Sequence, residues 1–169
     1  GYAPACANEW RAGICEKPRI KCSDCGHRSL IALTDRTIVD HLAGRHTTGV
    51  YPLLTDDTCN FLAVDFDDAE WREDAKGFAK SCRGLGVPVA LEVSRSGEGA
   101  HAWVFFSTSV AARDARRLGT ALISFTCART RQLKLTSYDR LFPSQDTLPK
   151  GGFGNLIALG ALRALAEEK

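Results

Sequence analysis

With 169 residues, 44% of them apolar and 25% charged, the chain is long enough for one globular domain with a real core. No apolar run approaches the length of a membrane span, and no secretion signal opens the chain. An odd count of seven cysteines without such a signal argues against a disulfide scaffold and for a reducing, cytoplasmic setting. The net charge is only +2, but it is unevenly placed. Residues 55–74 concentrate acids (Asp56, Asp57, Asp65, Asp67, Asp68, Glu70, Glu73, Asp74), and residues 109–140 concentrate bases, among them Arg113, Arg116, Arg117 and Arg140. An acidic focus suits metal binding, and a basic flank suits a polyanion.

Residues 1–30 lack apolar periodicity and hold Cys6, Cys15, Cys22 and Cys25, so this segment is expected to need a metal rather than a core. Residues 35–46 read as a short helix capped by Asp35, with Ile38, Val39 and Leu42 on its apolar side. Residues 60–66 (NFLAVDF) form a nearly continuous apolar run, as a buried strand does. Asp68 is expected to cap a helix from Ala69 to about Gly84, with Trp71, Phe78, Cys82 and Leu85 along one side. Strands follow over 87–93 and 101–106, joined by a hairpin at Gly97 and Gly99. Ser109 is expected to cap a second helix, from Val110 to about Phe125, with Ala111, Ala115, Leu118 and Leu122 inward. A short extended piece lies around 133–139, a last strand over 155–159 and a terminal helix over 161–168. The order β-α-β-β-α-β predicts an α+β, RNA-recognition-like antiparallel sheet with helices on one face and the other face free for a site. The expected organisation is a zinc-binding knuckle over 1–30 and a catalytic core over 31–169, cut from a longer multidomain protein.

Three constellations carry chemistry. Cys6-x8-Cys15-x6-Cys22-x2-Cys25 offers four thiolates to a structural Zn²⁺, and His27 can replace one of them. Asp65 and Asp67 are two apart on a strand, so both carboxylates face one way, as a hard divalent cation requires. A third carboxylate would let the set hold two such ions, and Asp139 and Asp146 are the candidates. Asp139 follows an aromatic at the end of an extended piece, whereas Asp146 lies in a turn-rich loop. The third constellation is Ser94-Arg95-Ser96-Gly97-Glu98-Gly99-Ala100-His101, a hairpin whose backbone N–H groups can cradle an anion. Ser96 and His101 add side-chain donors, and Lys150 beside Gly151-Gly152 is a candidate second phosphate contact. Metal carboxylates beside a phosphate cradle point to chemistry on a nucleoside triphosphate.

The ordered set Asp65-x-Asp67, Ser96-Gly-Glu-Gly-Ala-His101 and Tyr138-Asp139 resembles the archaeo-eukaryotic primase–polymerase superfamily. Its hairpin form is similar to that of the polymerase domain of bacterial ligase D. The strings Asn8-Glu9-Trp10, Gly49 to Leu54, Tyr138 to Asp146 and Gly151 to Leu159 resemble the primase domain of TOTE conflict systems, with Gly160 where a proline is expected. The resemblance implies a template-dependent nucleotidyltransferase, a DNA primase or polymerase core. Asp65, Asp67 and Asp139 would take Mg²⁺ or Mn²⁺. Ser96, Gly97, Gly99, His101 and Lys150 would hold an incoming NTP or dNTP. Arg113, Arg116, Arg117 and Arg140 would meet the DNA template and primer. It further implies helicase and nuclease modules as partners, in a bacterial or mobile-element cytoplasm. A non-catalytic nucleic-acid-binding zinc module is the alternative, and would bind DNA without divalent metal and without nucleotide. A replication-initiator nuclease would need a second metal-binding His beside His101, and His101-Ala102-Trp103 lacks it.

Overall fold

The computed structural model describes residues 5–130, 135 and 137–160. In chain order the elements are α1 (Asp35–Leu42), β1 (Gly49–Val50), β2 (Thr58–Phe66), α2 (Trp71–Gly84), β3 (Ala90–Val93), β4 (Ala100–Ala111), α3 (Ala112–Thr130), β5 (Tyr138–Phe142) and β6 (Ile157–Ala158). Four strands pair in the order β3-β4-β2-β5, and every pairing is antiparallel. The short strands β1 and β6 form a separate antiparallel ribbon. The fold is therefore α+β, with helices and antiparallel sheets. The expected terminal helix and most of the expected extended piece before Tyr138 lie outside the described residues.

The pleat of β2 sorts its side chains to two sides. Leu62, Val64 and Phe66 join Ala100, Ala102, Val104 and Leu141 in the main core, against Trp71, Ala75, Phe78 and Cys82 of α2 and Ala115 and Leu122 of α3. The Phe66 and Phe78 rings sit 5.8 Å apart at its centre. Ala63, Trp103 and Phe142 point to the opposite face, where Ile157 of the ribbon covers them and Val50, Phe61 and Leu159 pack alongside. The second face is thus partly roofed rather than wholly free.

Several expected boundaries shift for physical reasons. Thr34, not Asp35, caps α1, its hydroxyl accepting from the Thr37 N–H at 3.4 Å. That helix buries His41, whose Nδ1 accepts from the Thr48 N–H at 3.2 Å, so Ile38, Val39 and Leu42 face outward. Asp68 is no cap: its φ of 74° puts it in a left-handed turn, and Glu70 takes the N-cap position of α2. Ser109 is no cap either, because β4 runs on to Ala111 and passes directly into α3. Leu85, Leu118 and Ala111 are exposed, not inward.

The acidic run of 55–74 is largely structural. Asp56 accepts from the Thr58 N–H and hydroxyl, and Asp57 accepts from the Leu148 N–H at 2.6 Å. The cysteine segment is tied to the rest through Arg28. Its guanidinium donates to the Gly151 carbonyl at 3.2 Å and stands 4.9 Å from the centre of the Phe153 ring.

The two faces differ in what they stabilise. Phe78→Ala removes a fully buried ring and should cost about 3–5 kcal/mol. Val39→Ala, on the outward side of α1, should cost under about 0.5 kcal/mol. Denaturant midpoints of the two variants check both.

Candidate metal and nucleotide site

Antiparallel register builds one row of ionisable side chains straight across the sheet. Glu92 of β3 pairs with His101 of β4, His101 with Asp65 of β2, and Asp65 with Arg140 of β5. The next row on the same face is Ala90, Trp103, Ala63 and Phe142, an apolar floor. His101 Nε2 lies 3.4 Å from Asp65 Oδ1.

Asp139 reaches this face through a β-bulge. Asp65 pairs with Arg140 while the next residue, Phe66, pairs with Tyr138, so Asp139 is the extra residue. Strict alternation would turn Asp139 toward the helices together with Leu141. The bulge turns it back. Asp65, Asp67 and Asp139 thereby bring three carboxylate oxygens within 4.8 Å of one another, the only such group of His, Cys, Asp or Glu among the described residues. This donor set is all hard oxygen and fits Mg²⁺ or Mn²⁺.

A buried link holds the bulge in place. Asp74 of α2, only 4% exposed, accepts from both the N–H (3.1 Å) and the hydroxyl (2.7 Å) of Ser137. The Ser137 carbonyl accepts from the Asp67 N–H at 2.7 Å. Asp74 therefore ties the start of β5 to the end of β2. The sequence reading missed it, although it lies on the same helical stripe as Trp71, Ala75 and Phe78, where a carboxylate must find donors.

The hairpin joins β3 to β4 and leans on the acids. A Cβ on Gly99 would come within 2.5 Å of Asp67 Oδ1 and 2.7 Å of the Phe66 carbonyl, so only glycine allows this approach. Ser96 Oγ accepts from the Glu98 N–H at 3.1 Å and sits 2.9 Å from Ser94 Oγ. Gly97 turns the loop at a φ of 80°. A solvent-open cavity between hairpin and acids is lined by Asp67, Asp68, Ala69, Trp71, Ser96 and Glu98. With three carboxylates and no cationic side chain in that lining, an anion gains charge balance there only in company with cations.

Other candidates sit elsewhere. Lys150 lies in a turn that packs on the cysteine segment, through Arg28 and Gly151. Asp146 pairs with Arg116, away from the triad. Arg113 and Arg117 both approach Asp114, at 3.4 and 3.6 Å, on α3. That helix covers the sheet face opposite the row. Arg140, by contrast, belongs to the site: its Nε donates to Asp139 Oδ2 at 2.6 Å. Cys6, Cys15, Cys22 and Cys25 line one cavity together with His27. No three of these ligand atoms lie within 4.8 Å of one another, so the thiols are gathered but not closed into the tetrahedron that zinc requires.

Burial pushes the Asp65 carboxyl up from 3.8 to about 6; the His101 ring works against the rise, while Asp67 and Asp139 add to it. The Arg140 guanidinium is raised by its hydrogen bond to Asp139.

The chain matches the family described as TOTE conflict system, Archaeo-Eukaryotic Primase domain, over residues 1–168. No curated protein matches it. No helix among the described residues is long and apolar enough to cross a membrane.

The raised Asp65 carboxyl has a stability consequence of definite sign. The folded protein holds this proton more tightly than the unfolded chain does, so the contribution is full below about pH 4 and lost as pH rises through about 6. Metal-free Asp65→Asn should therefore melt higher than the parent at pH 7.5 and show a flatter pH profile between about 4 and 6. Added Mn²⁺ should raise the melting temperature of the parent above pH 6 and leave the variant nearly unmoved. Thermal melts across pH, with and without Mn²⁺, read all three.

Proposed function

The chain belongs to the archaeo-eukaryotic primase domain family of TOTE conflict systems, a family of primase-type nucleotidyltransferases, and from that premise we propose that it is a template-dependent primase–polymerase core. The observation that carries this reading is the convergence of Asp65, Asp67 and Asp139 beside the glycine hairpin. The strand order β3-β4-β2-β5 supports an RNA-recognition-like sheet beneath the site. In the reaction, a 3′-hydroxyl bonds to the α-phosphorus of an NTP or dNTP, the α–β phosphoanhydride bond breaks, and pyrophosphate leaves.

The three aspartates would hold divalent cations, which when bound neutralise phosphate charge and promote ionisation of the attacking hydroxyl. The chain's own groups do the positioning. Ser96 and the Gly97–Gly99 turn would meet the triphosphate, and His101 would present Nε2 to it from the floor of the site. Arg140, alone of the proposed template contacts, lies on this face and supplies positive charge beside the acids. A role for Arg113, Arg116 and Arg117 in holding template needs the strand to pass over the helical layer.

We also propose that Cys6, Cys15, Cys22 and Cys25 hold one structural Zn²⁺, with the segment contracting around it. Support comes from their shared cavity and from the thiolate chemistry. Elemental analysis of protein purified without chelator should find one zinc per chain. A value near zero would remove the assignment.

Primer extension with Mn²⁺ and both nucleotide types tests the catalytic reading. Asp65→Ala, Asp67→Ala and Asp139→Ala should each lower transfer on the order of a thousandfold or more, the loss of several kcal/mol of transition-state stabilisation. Asp146→Ala should stay within a few-fold of the parent. His101→Ala should weaken nucleotide binding by roughly 1.5–3 kcal/mol, the scale of a charge-assisted hydrogen bond, and spare DNA affinity. Full activity in Asp65→Ala would overturn the assignment. Metal-independent DNA binding with no nucleotide affinity would favour the non-catalytic alternative.

A further inference from the structure

Glu92 closes the transverse row at the β3 edge, yet it is not one of the three converging carboxylates. It is the one charged residue in an otherwise apolar strand, and it gathers three donors. Oε2 faces His101 Nδ1 at 2.9 Å and Trp103 Nε1 at 3.0 Å, and Oε1 accepts from the Gly160 N–H at 2.7 Å. An indole N–H and a backbone N–H can only donate, so both oxygens of Glu92 act as acceptors. His101 Nδ1 therefore carries a hydrogen toward Glu92, and Nε2 is turned to Asp65, 3.4 Å away. The Trp103 ring meets the His101 ring edge-on, at 88° and 5.9 Å, and fixes its plane from a second side.

The Gly160 contact is built as tightly. A Cβ at position 160 would run into the Val93 carbonyl and come within 3.1 Å of the Glu92 side chain. A proline there would also lack the N–H that Glu92 accepts. The glycine that stands in place of the family's expected proline thus lets the backbone after β6 reach Glu92.

We infer that Glu92 is a positioning residue of the site: it fixes the hydrogen-bonding state and direction of His101, so that Nε2 faces the acids and the incoming triphosphate. This rests on the proposed role of His101 in nucleotide binding. The rival reading is a purely structural tie between β3 and Gly160, which would affect stability alone.

Two measurements separate these. The first needs no metal, nucleotide or turnover. Long-range ¹⁵N–¹H spectra of the His101 ring in the metal-free protein should show a hydrogen on Nδ1 in the parent. Glu92→Ala should lose it, and Glu92→Gln, which keeps an acceptor oxygen, should retain it in part. The second is a double-variant cycle read by nucleotide affinity in Mn²⁺. Glu92→Ala should weaken binding by roughly ten- to a hundredfold, the range found when the partner that orients a functional histidine is removed. In the His101→Ala background the same change should cost less than about twofold, because the two act through one ring. DNA affinity should hold in all variants, and the melting temperature should fall equally in both backgrounds.

A parent protein with no hydrogen on Nδ1, or equal losses of nucleotide affinity in the two backgrounds, would overturn the inference. If His101→Ala leaves nucleotide affinity unchanged, the reading of the site fails instead, and the ring spectra still decide what Glu92 does. Should Glu92→Ala not fold, the parent spectrum and the Glu92→Gln variant carry the test.

Discussion

Asp65 faces His101 on one neighbouring strand and Arg140 on the other, and the rest of the site is arranged around that carboxylate. It is delivered by a strand whose alternate residues, Leu62, Val64 and Phe66, are locked into the main core. Two further carboxylates stand within 4.8 Å of it. Like charges at that distance repel by about 3.5 kcal/mol at an effective dielectric of 20. Burial is the larger cause that raises the Asp65 carboxyl to about 6; Asp67 and Asp139 add to the rise, and His101 and Arg140 work against it. A carboxylate cluster that destabilises its own scaffold when ionised is a candidate cation site.

The scaffold meets that cost through devices placed away from the acids. Asp74 is buried and fully used, holding Ser137 by two hydrogen bonds, while Ser137 holds the Asp67 backbone. Gly99 lets the hairpin close against Asp67 with no side chain between. Glu92 anchors the opposite end of the row. Each fixes a residue of the candidate site through a group that does not itself lie in the cluster, so the geometry of the acids is set by the fold rather than by their mutual interactions.

The parts of this arrangement that depend on alternation were legible in the sequence. Asp65-x-Asp67 on an apolar strand, and His101 opening the strand after a glycine hairpin, follow from period two and turn chemistry. Asp139 was reached through its extended, aromatic-flanked setting and through resemblance, but its direction was not readable. A bulge adds one residue to a strand without a residue type that announces it, and here the bulge decides which face Asp139 takes. Asp74 and Glu92 are visible as polar residues on apolar patterns, but no motif marks them. Asp35, Asp68 and Ser109 are polar residues at or near helix starts but not caps, because a polar residue near an apolar periodicity does not by itself fix where the helix starts. Chain direction is set by tertiary context instead: β4 runs unbroken into α3, and Asp68 is needed for a left-handed turn. The apolar side of α1 was misjudged for a similar reason, since the helix docks through His41 and Thr48.

The charge pattern of the chain also divides differently in space than along the sequence. Most of the acidic run is consumed by turns and by the Asp74 tie, and Arg113, Arg116 and Arg117 of the basic run approach carboxylates on or beside the helical layer. What remains on the face of the candidate site is a compact set of opposite charges: Asp65, Asp67, Asp139 and Glu92 against His101 and Arg140. Formal balance there falls short by at least two positive charges, counting His101 as a cation. The hairpin cavity beside it adds Asp68 and Glu98 and no base. A polyphosphate approaching such a surface alone would be repelled. The same polyphosphate carrying divalent cations would bring the charge that the row lacks. On the proposed reading, metal and nucleotide are complementary to the site only together.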